Sequence, residues 1–249
     1  MCSARVSRVT KSHVCWLLVD NVNDGVDNLP PRVLAWLLGS QKKLFDIELP
    51  AHFTPSADLV LPVATPHGIG LLTCTHSGRV LLWSSGMQDA LLSMQVALDA
   101  PDDQPLALVA VEGVGPVLFS QMGQMYVIST YPRLSCQRVW RPSESGLLSG
   151  IGRRVSNLFG FSRGEEQDGA AATSFVAVRA HESELWALSL RDVQVWQRGV
   201  GDMLSLMKTV SILDEAGTAT LPNLGTVPVS LLDILPLGCD RLWRESEEN

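Results

Sequence analysis

A hairpin pattern recurs four times along this chain and restricts the folds that it can adopt. Each occurrence has an apolar strand, a tight polar turn and a second strand that ends near a bulky residue. The four paired segments are residues 33–38 with 43–47, 69–74 with 79–83, 116–120 with 124–129, and 184–189 with 193–196. β-Branched and aromatic residues around short turns rich in Gly, Ser or Asp are the usual signals of antiparallel hairpins.

The spacing of these hairpins favours a propeller. Phe45, Trp83 and Ile128, which close the first three, are 38 and 45 residues apart. Trp196 follows Ile128 after 68 residues, but an unusual segment of about 25 residues lies between them, and without it the interval returns to about 43. A period of about 40 to 45 residues with one hairpin per unit is typical of propeller blades.

Three further apolar segments precede hairpins and are expected to be inner strands of the blades. They are residues 58–63, 106–111 and 174–179. The predicted fold class is therefore all-β, with a partial β-propeller between residues 30 and 243. An all-β sandwich or an irregular barrel also has short strands at steady intervals, so periodicity alone leaves these alternatives open.

Composition argues against several classes of function. The formal net charge of −7 repels a phosphate backbone, so we expect no direct binding of nucleic acid. The five cysteines are far apart and never form a C-x-x-C pair, which fits reduced thiols rather than disulfides or zinc ligands. No window approaches the roughly 20 apolar residues of a membrane-spanning helix, so any membrane contact would be peripheral.

Residues 145–162 interrupt the strand pattern with the sequence SGLLSGIGRRVSNLFGFS. On a helix, six apolar side chains fall within an arc of about 120°. They are Leu147, Leu148, Ile151, Val155, Leu158 and Phe159. Ser, Gly and Asn dominate the opposite face, and only Arg153 and Arg154 carry charge.

Such a helix would be marginal in water, since each interior glycine costs roughly 1 kcal/mol. With little charge opposite, its binding to a bilayer would depend on inserting Leu and Phe between headgroups, which suits a sensor of lipid packing. The alternatives are a helix packed on its own sheet and a loop that covers a sheet edge.

Residues 146–161, GLLSGIGRRVSNLFGF, resemble the curvature-sensing motif in the propellers of the nucleoporin 133/155-like family. Three other stretches agree with this family: residues 35–39 (AWLLG), residues 56–60 (SADLV) with 77–80 (SGRV) and Trp83, and residues 193–196 (VQVW). The resemblance covers roughly residues 30 to 200.

The resemblance implies an N-terminal propeller of seven blades, of which this chain would hold about four, at the nuclear pore complex on the nuclear envelope. It also implies a structural role in the Y-shaped scaffold complex that supports mRNA export and protein import. The partners would be other nucleoporins of that complex, mainly through a helical domain that this sequence lacks. By carry-over, the six apolar residues of the 145–162 segment would contact a curved membrane.

The remaining expectations concern boundaries and chemistry. Residues 1–29 are expected to form an N-terminal extension, 163–172 a mobile loop and 244–249 a polar tail. The unclosed set of blades suggests a fragment or a truncated product.

The five histidines lack metal-ligand spacing, and no nucleophile elbow or phosphate loop is present, so we expect no enzyme activity, catalytic residue, metal or cofactor. Two other functions stay open: a generic intracellular propeller that binds proteins, and an enzyme that uses a propeller channel.

Overall fold

Consecutive strands of this chain pair with one another in antiparallel meanders. The computed structural model describes residues 2–19, 30–50, 56–87, 89–98, 100–140, 174–199, 204–213, 218–221, 225–228 and 231–234. The chain divides into two compact units, one of residues 1–110 and 115–174 and the other of residues 111–114 and 175–249.

The first unit contains three four-stranded sheets. The first sheet has β1 (Cys2–Val9), β2 (Ser12–Val19), β3 (Arg32–Leu37) and β4 (Lys42–Glu48). A short 3-10 helix (Ala57–Leu59) leads into the second sheet, with β5 (Val60–Thr65), β6 (Gly68–Cys74), β7 (Arg79–Ser84) and β8 (Leu92–Gln95). The third sheet has β9 (Pro105–Val111), β10 (Gly115–Ser120), β11 (Met125–Ser129) and β12 (Ser135–Trp140).

The second unit contains the fourth sheet of this kind. Its strands are β13 (Phe175–His181), β14 (Glu184–Ser189), β15 (Asp192–Arg198) and β16 (Leu204–Ser211). A separate two-stranded sheet pairs β17 (Thr218–Leu221) with β18 (Gly225–Pro228). Leu231 and Ile234 pack against the fourth sheet beside Ala177 and Leu188.

Four antiparallel sheets, each made of four consecutive strands, confirm the prediction of an all-β fold of the partial-propeller type. All four predicted hairpins are present, at β3–β4, β6–β7, β10–β11 and β14–β15. The strands expected ahead of three hairpins are β5, β9 and β13, the first strands of their sheets. The strands that the structure describes form open sheets and no closed barrel.

The structure differs from the sequence expectations at the start of the chain. Residues 2–19, expected as part of an extension, form the first two strands of the first sheet. Val14, Trp16 and Leu18 alternate along β2 and are buried, which is the period of a strand with one face in the core.

Placing β1 and β2 in the first sheet also changes the spacing between equivalent strands. The first hairpin joins the third and fourth strands of its sheet, whereas the other three join the second and third. Trp36 on β3, rather than Phe45 on β4, is therefore the counterpart of Trp83 on β7, and the two lie 47 residues apart.

The second sheet is buried on both faces. Leu71, Leu81 and Trp83 pack against the first sheet in one hydrophobic cluster with Trp16 and Phe45. Their sequence neighbours Leu72, Val80 and Leu82 pack in a second cluster with residues of the third sheet, among them Leu108, Leu118 and Tyr126. Burying one such side chain stabilises the fold by about 1.5–3 kcal/mol, so these clusters hold the three sheets together.

A hydroxyl group organises the turn between the second and third strands of three sheets. The Arg79 amide donates to Thr75 Oγ1 at 3.0 Å, and the Gln124 amide donates to Ser120 Oγ at 2.9 Å. The Asp192 amide donates to Ser189 Oγ, also at 2.9 Å. Side chains of Ser and Thr commonly satisfy turn amides in this way. A Ser or Thr hydroxyl that accepts from a turn amide is thus a feature repeated in the second, third and fourth sheets.

Candidate interaction surfaces

The six residues predicted to contact membrane lie outside the described residues. They are Leu147, Leu148, Ile151, Val155, Leu158 and Phe159. The mobile loop expected at residues 163–172 and the tail expected at residues 244–249 also lie outside them. The membrane assignment therefore stays a prediction from sequence.

Among the described residues, the first unit presents a groove beside the second and third sheets. Its cavity volume is about 130 Å³. Three segments supply its walls. The first is the β5–β6 turn with His67, and the second runs from the end of β7 at Trp83 to Leu91. The third is the β11–β12 turn with Tyr131. The lining residues are Thr65, Pro66, His67, Leu82, Trp83, Ser84, Leu91, Leu92, Thr130, Tyr131 and Pro132.

Hydrogen bonds hold the walls of this groove. The Trp83 indole N–H donates to Thr73 Oγ1 at 2.9 Å, and both residues are buried. Thr65 Oγ1 donates to the Gly68 carbonyl at 2.9 Å and closes the β5–β6 turn. Ser129 Oγ donates to the Tyr131 carbonyl at 2.8 Å and orders the β11–β12 turn. These bonds fix the walls of the groove to the second and third sheets.

The groove presents apolar surface rather than charge. The side chains of Leu91, Leu92 and Tyr131 are exposed, Tyr131 to 64%. No Asp, Glu, Lys or Arg side chain is among the residues that line the groove. Apolar and aromatic walls with a few hydroxyl groups suit binding of an apolar protein side chain. Sequence reasoning missed this groove because its walls come from turns about 65 residues apart along the chain.

Two buried polar side chains of the described residues, Asp103 and Tyr126, hold loops of the fold by hydrogen bonds. Asp103 Oδ1 accepts from the amides of Gln104 and Met122, each at 2.9 Å, and so ties the loop before β9 to the β10–β11 turn. Tyr126 donates its hydroxyl to the Ala97 carbonyl at 2.9 Å. Among the described residues, no group of three His, Cys, Asp or Glu side chains could hold a metal ion.

Three titratable groups among the described residues have displaced pKa values: Asp46, Cys74 and Cys136, and burial raises the pKa of the Cys136 thiol. Hydrogen bonds lower the pKa of the Asp46 carboxyl on β4. The bond from Lys43 has the largest effect and the bond from Arg32 the second largest, and the three side chains form an ion-pair cluster. Burial raises the pKa of the Cys74 thiol to about 12, so this cysteine behaves as a small apolar core residue. None of these three groups lies in the lining of the groove.

No helix within the described ranges is long and apolar enough to span a bilayer.

Comparison with known proteins finds two similar nuclear pore proteins. The chain is 32% identical over 162 residues to the nuclear pore complex protein Nup133 of Danio rerio, across 61% of this chain and 14% of that protein. It is 26% identical over 157 residues to Nup133 of Homo sapiens, across 59% of this chain and 13% of that protein. The chain thus spans about a seventh of the length of these relatives.

The other comparisons concern family models and solved structures. No family model matches the sequence. The crystal structure of BBS1N in complex with ARL6DN aligns with a TM-score of 0.47 and 11% identity, across 84% of this chain and 53% of that chain.

Proposed function

We propose that this chain, whose sequence and blades make it a Nup133-like propeller domain, is a structural constituent of the nuclear pore complex. The observation that carries the proposal is the 32% identity over 162 residues with a nuclear pore complex protein. Its partners in this role would be other nucleoporins of the Y-shaped scaffold. The biological process would be pore architecture in support of mRNA export and protein import.

The proposal includes peripheral contact with the curved membrane of the nuclear envelope. The segment from residue 145 to 162 supplies the apolar stripe of Leu147, Leu148, Ile151, Val155, Leu158 and Phe159. Its opposite face offers Ser, Gly and Asn with two arginines, so attraction to anionic lipid would be weak. Insertion of the stripe would then require gaps between headgroups, which are frequent on strongly curved bilayers.

This role needs no enzyme activity and no cofactor. The alternative function is a generic intracellular propeller that binds proteins, and the groove with Trp83, Leu91 and Tyr131 favours it. The two functions differ in one measurable property, the response to membrane curvature.

Flotation of the full chain with phosphatidylcholine vesicles of two diameters tests the membrane contact. We expect binding to small vesicles and little binding to large ones. Leu158→Asp places a charge on the apolar stripe and should abolish binding, whereas Ser156→Asp on the opposite face is the matched control and should retain it. Equal binding at both diameters would overturn the response to membrane curvature, and equal loss in both variants would overturn the role of the apolar stripe.

A fluorescent fusion in cells separates the scaffold role from the membrane contact. If the scaffold role is right, the chain accumulates at the nuclear rim. Retention of the rim signal by Leu158→Asp would assign targeting to protein partners, and diffuse fluorescence of the unaltered chain would argue against the nucleoporin role.

A further inference from the structure

The first sheet concentrates basic side chains in an otherwise acidic chain. Residues 2–19 and 30–50, which form this sheet and its flanking residues, hold six of the 19 Lys and Arg residues but two of the 26 Asp and Glu residues. The six basic residues are Arg5, Arg8, Lys11, Arg32, Lys42 and Lys43. Since the whole chain has a formal net charge of −7, this sheet reverses the sign of the charge locally.

Three of these basic residues gather at one end of the sheet. The β1–β2 and β3–β4 turns lie side by side there, because the Leu38 amide donates to the His13 carbonyl at 2.8 Å. Arg8, Lys11 and Lys42 lie in these turns or within two residues of them, and all three are exposed. We call these three residues the basic end.

The charge of the basic end is not compensated within the sheet. Among the described residues, no ion pair joins Arg8, Lys11 or Lys42 to an acidic side chain. The other three basic residues of the sheet each pair with Asp58 or Asp46. Arg8 and Lys42 lie on the two outer strands, so their Cα atoms are roughly 15 Å apart, which an extended segment of about five residues spans.

The basic end lies on the same side of the first unit as the groove. Ser85 Oγ, just after β7, donates to the Leu44 carbonyl of β4 at 3.0 Å. Ser84, the residue before it, lines the groove, and Leu44 is two residues from Lys42. An extended ligand can therefore reach from the basic end to the groove along the contact between β4 and the end of β7.

We propose that the basic end and the groove form one docking surface for an extended acidic segment of a partner protein. Carboxylates of the segment pair with the basic end, and one apolar side chain enters the groove. Charge complementarity of this kind fixes the register and speeds the encounter. The proposal rests on the protein-binding function of the groove and is independent of the membrane contact.

The groove identifies the occupant as a protein segment. Its volume of about 130 Å³ is smaller than a typical small-molecule pocket and suits a single side chain. Lipid headgroups and nucleic-acid phosphates supply negative charge but no apolar side chain to fill it. Asp89, exposed in the β7–β8 turn, would also repel a continuous anionic surface. A protein segment can place carboxylates at the basic end and an apolar residue beside Tyr131.

Fluorescence anisotropy of the full chain with a labelled peptide tests this surface. The probe is a peptide of glutamates with one leucine, and the matched probe has glutamine in place of every glutamate. We expect the glutamate peptide to bind at least about tenfold more tightly, with an affinity that falls as salt rises. Exchange of its leucine for serine should weaken binding several-fold, because the groove would lose its apolar occupant.

The double variant Lys11→Glu with Lys42→Glu should weaken binding of the glutamate peptide by about tenfold or more. The matched control is Arg79→Glu with Lys208→Glu, which changes the net charge equally at exposed sites on other sheets and should retain binding. Circular dichroism establishes that both double variants fold, which is expected because all four residues are exposed.

Four outcomes overturn the proposal. They are equal binding of the glutamate and glutamine peptides, equal weakening in the two double variants, no effect of the serine exchange, and binding of phosphatidylserine vesicles through Lys11 and Lys42 without binding of the peptide. Any of them leaves the nucleoporin role standing, because the fluorescent fusion tests that role separately.

Discussion

At the residue scale, the indole of Trp83 is fixed by packing and by one hydrogen bond. Its ring lies in the cluster between the first and second sheets, and its N–H donates to Thr73 Oγ1 at 2.9 Å. Both groups are removed from water, so neither could exchange this bond for one to solvent. Since Trp83 also lines the groove, the bond links core stability to the shape of that surface.

Thr73→Val keeps the size of the side chain at position 73 but removes the acceptor. We expect unfolding free energy to fall by about 1–3 kcal/mol, because a buried N–H is left without a partner. Chemical denaturation measures this change.

Trp83→Phe and the double variant complete a double-mutant cycle. The cycle should give a coupling energy of about 1 kcal/mol between the two residues. Additive losses would mean that the hydrogen bond does not contribute.

At the element scale, the turns decide how each blade is closed. Gly78, between β6 and β7, has a φ of +83°, and a Cβ there would lie 2.9 Å from the Val96 carbonyl oxygen. Gly39, between β3 and β4, has a similar φ of +95° but nothing within 4 Å of the same position. A side chain at Gly39 would meet backbone strain alone, whereas one at Gly78 would meet both strain and a steric contact.

Gly39→Ala should cost about 1 kcal/mol of unfolding free energy, the strain of a left-handed backbone without further contact. Gly78→Ala should cost clearly more, because the new methyl group also meets the backbone carbonyl of Val96, just after β8. Thermal unfolding of both variants provides the comparison. Equal losses would show that the turn at Gly78 shifts away from Val96 without cost.

The strand pattern was readable from sequence where the chain alternates or forms short apolar runs between turns. Runs such as residues 80–83 and 69–72 are buried on both faces of the second sheet, and their flanking Gly and Ser mark the turns. β1 was missed because Ser3, Arg5, Ser7 and Arg8 leave little apolar pattern, and its place is set by pairing with β2. The pairing is a tertiary effect that local periodicity does not contain.

The candidate surfaces were less predictable than the strands. The groove needs Trp83 and Tyr131, which come from two different sheets, to lie near each other. The membrane-contact residues, by contrast, follow from helical spacing alone, and their test is the vesicle experiment.

At the scale of the whole molecule, the first unit depends on strands from the start of the chain. β2 contributes Val14, Trp16 and Leu18 to the cluster that joins the first and second sheets. Arg5 on β1 also pairs with Asp58 ahead of β5, at 3.3 Å, although this exposed ion pair contributes little.

Deletion of residues 1–29 should therefore destabilise the chain strongly. Four buried apolar side chains, those of Val9, Val14, Trp16 and Leu18, would be lost, each worth about 1.5–3 kcal/mol, and β3 would gain an unpaired edge. We expect a large drop in melting temperature or insoluble expression. Arg5→Ala is the control with an expected loss below about 1 kcal/mol. An unchanged melting temperature after deletion would show that residues 1–29 are a dispensable extension.

Each four-stranded sheet is built from neighbouring strands of the chain, and this has a consequence for how such a protein can evolve. β12 ends at Trp140 and β13 begins at Phe175, so a long connection separates two sheets without altering any pairing inside them. Doubling a connection of this kind costs only about 0.6 kcal/mol in closure entropy. One residue inserted within a strand would instead turn its buried side chains to the opposite face. New recognition segments can thus be acquired between blades while the blades themselves stay unchanged.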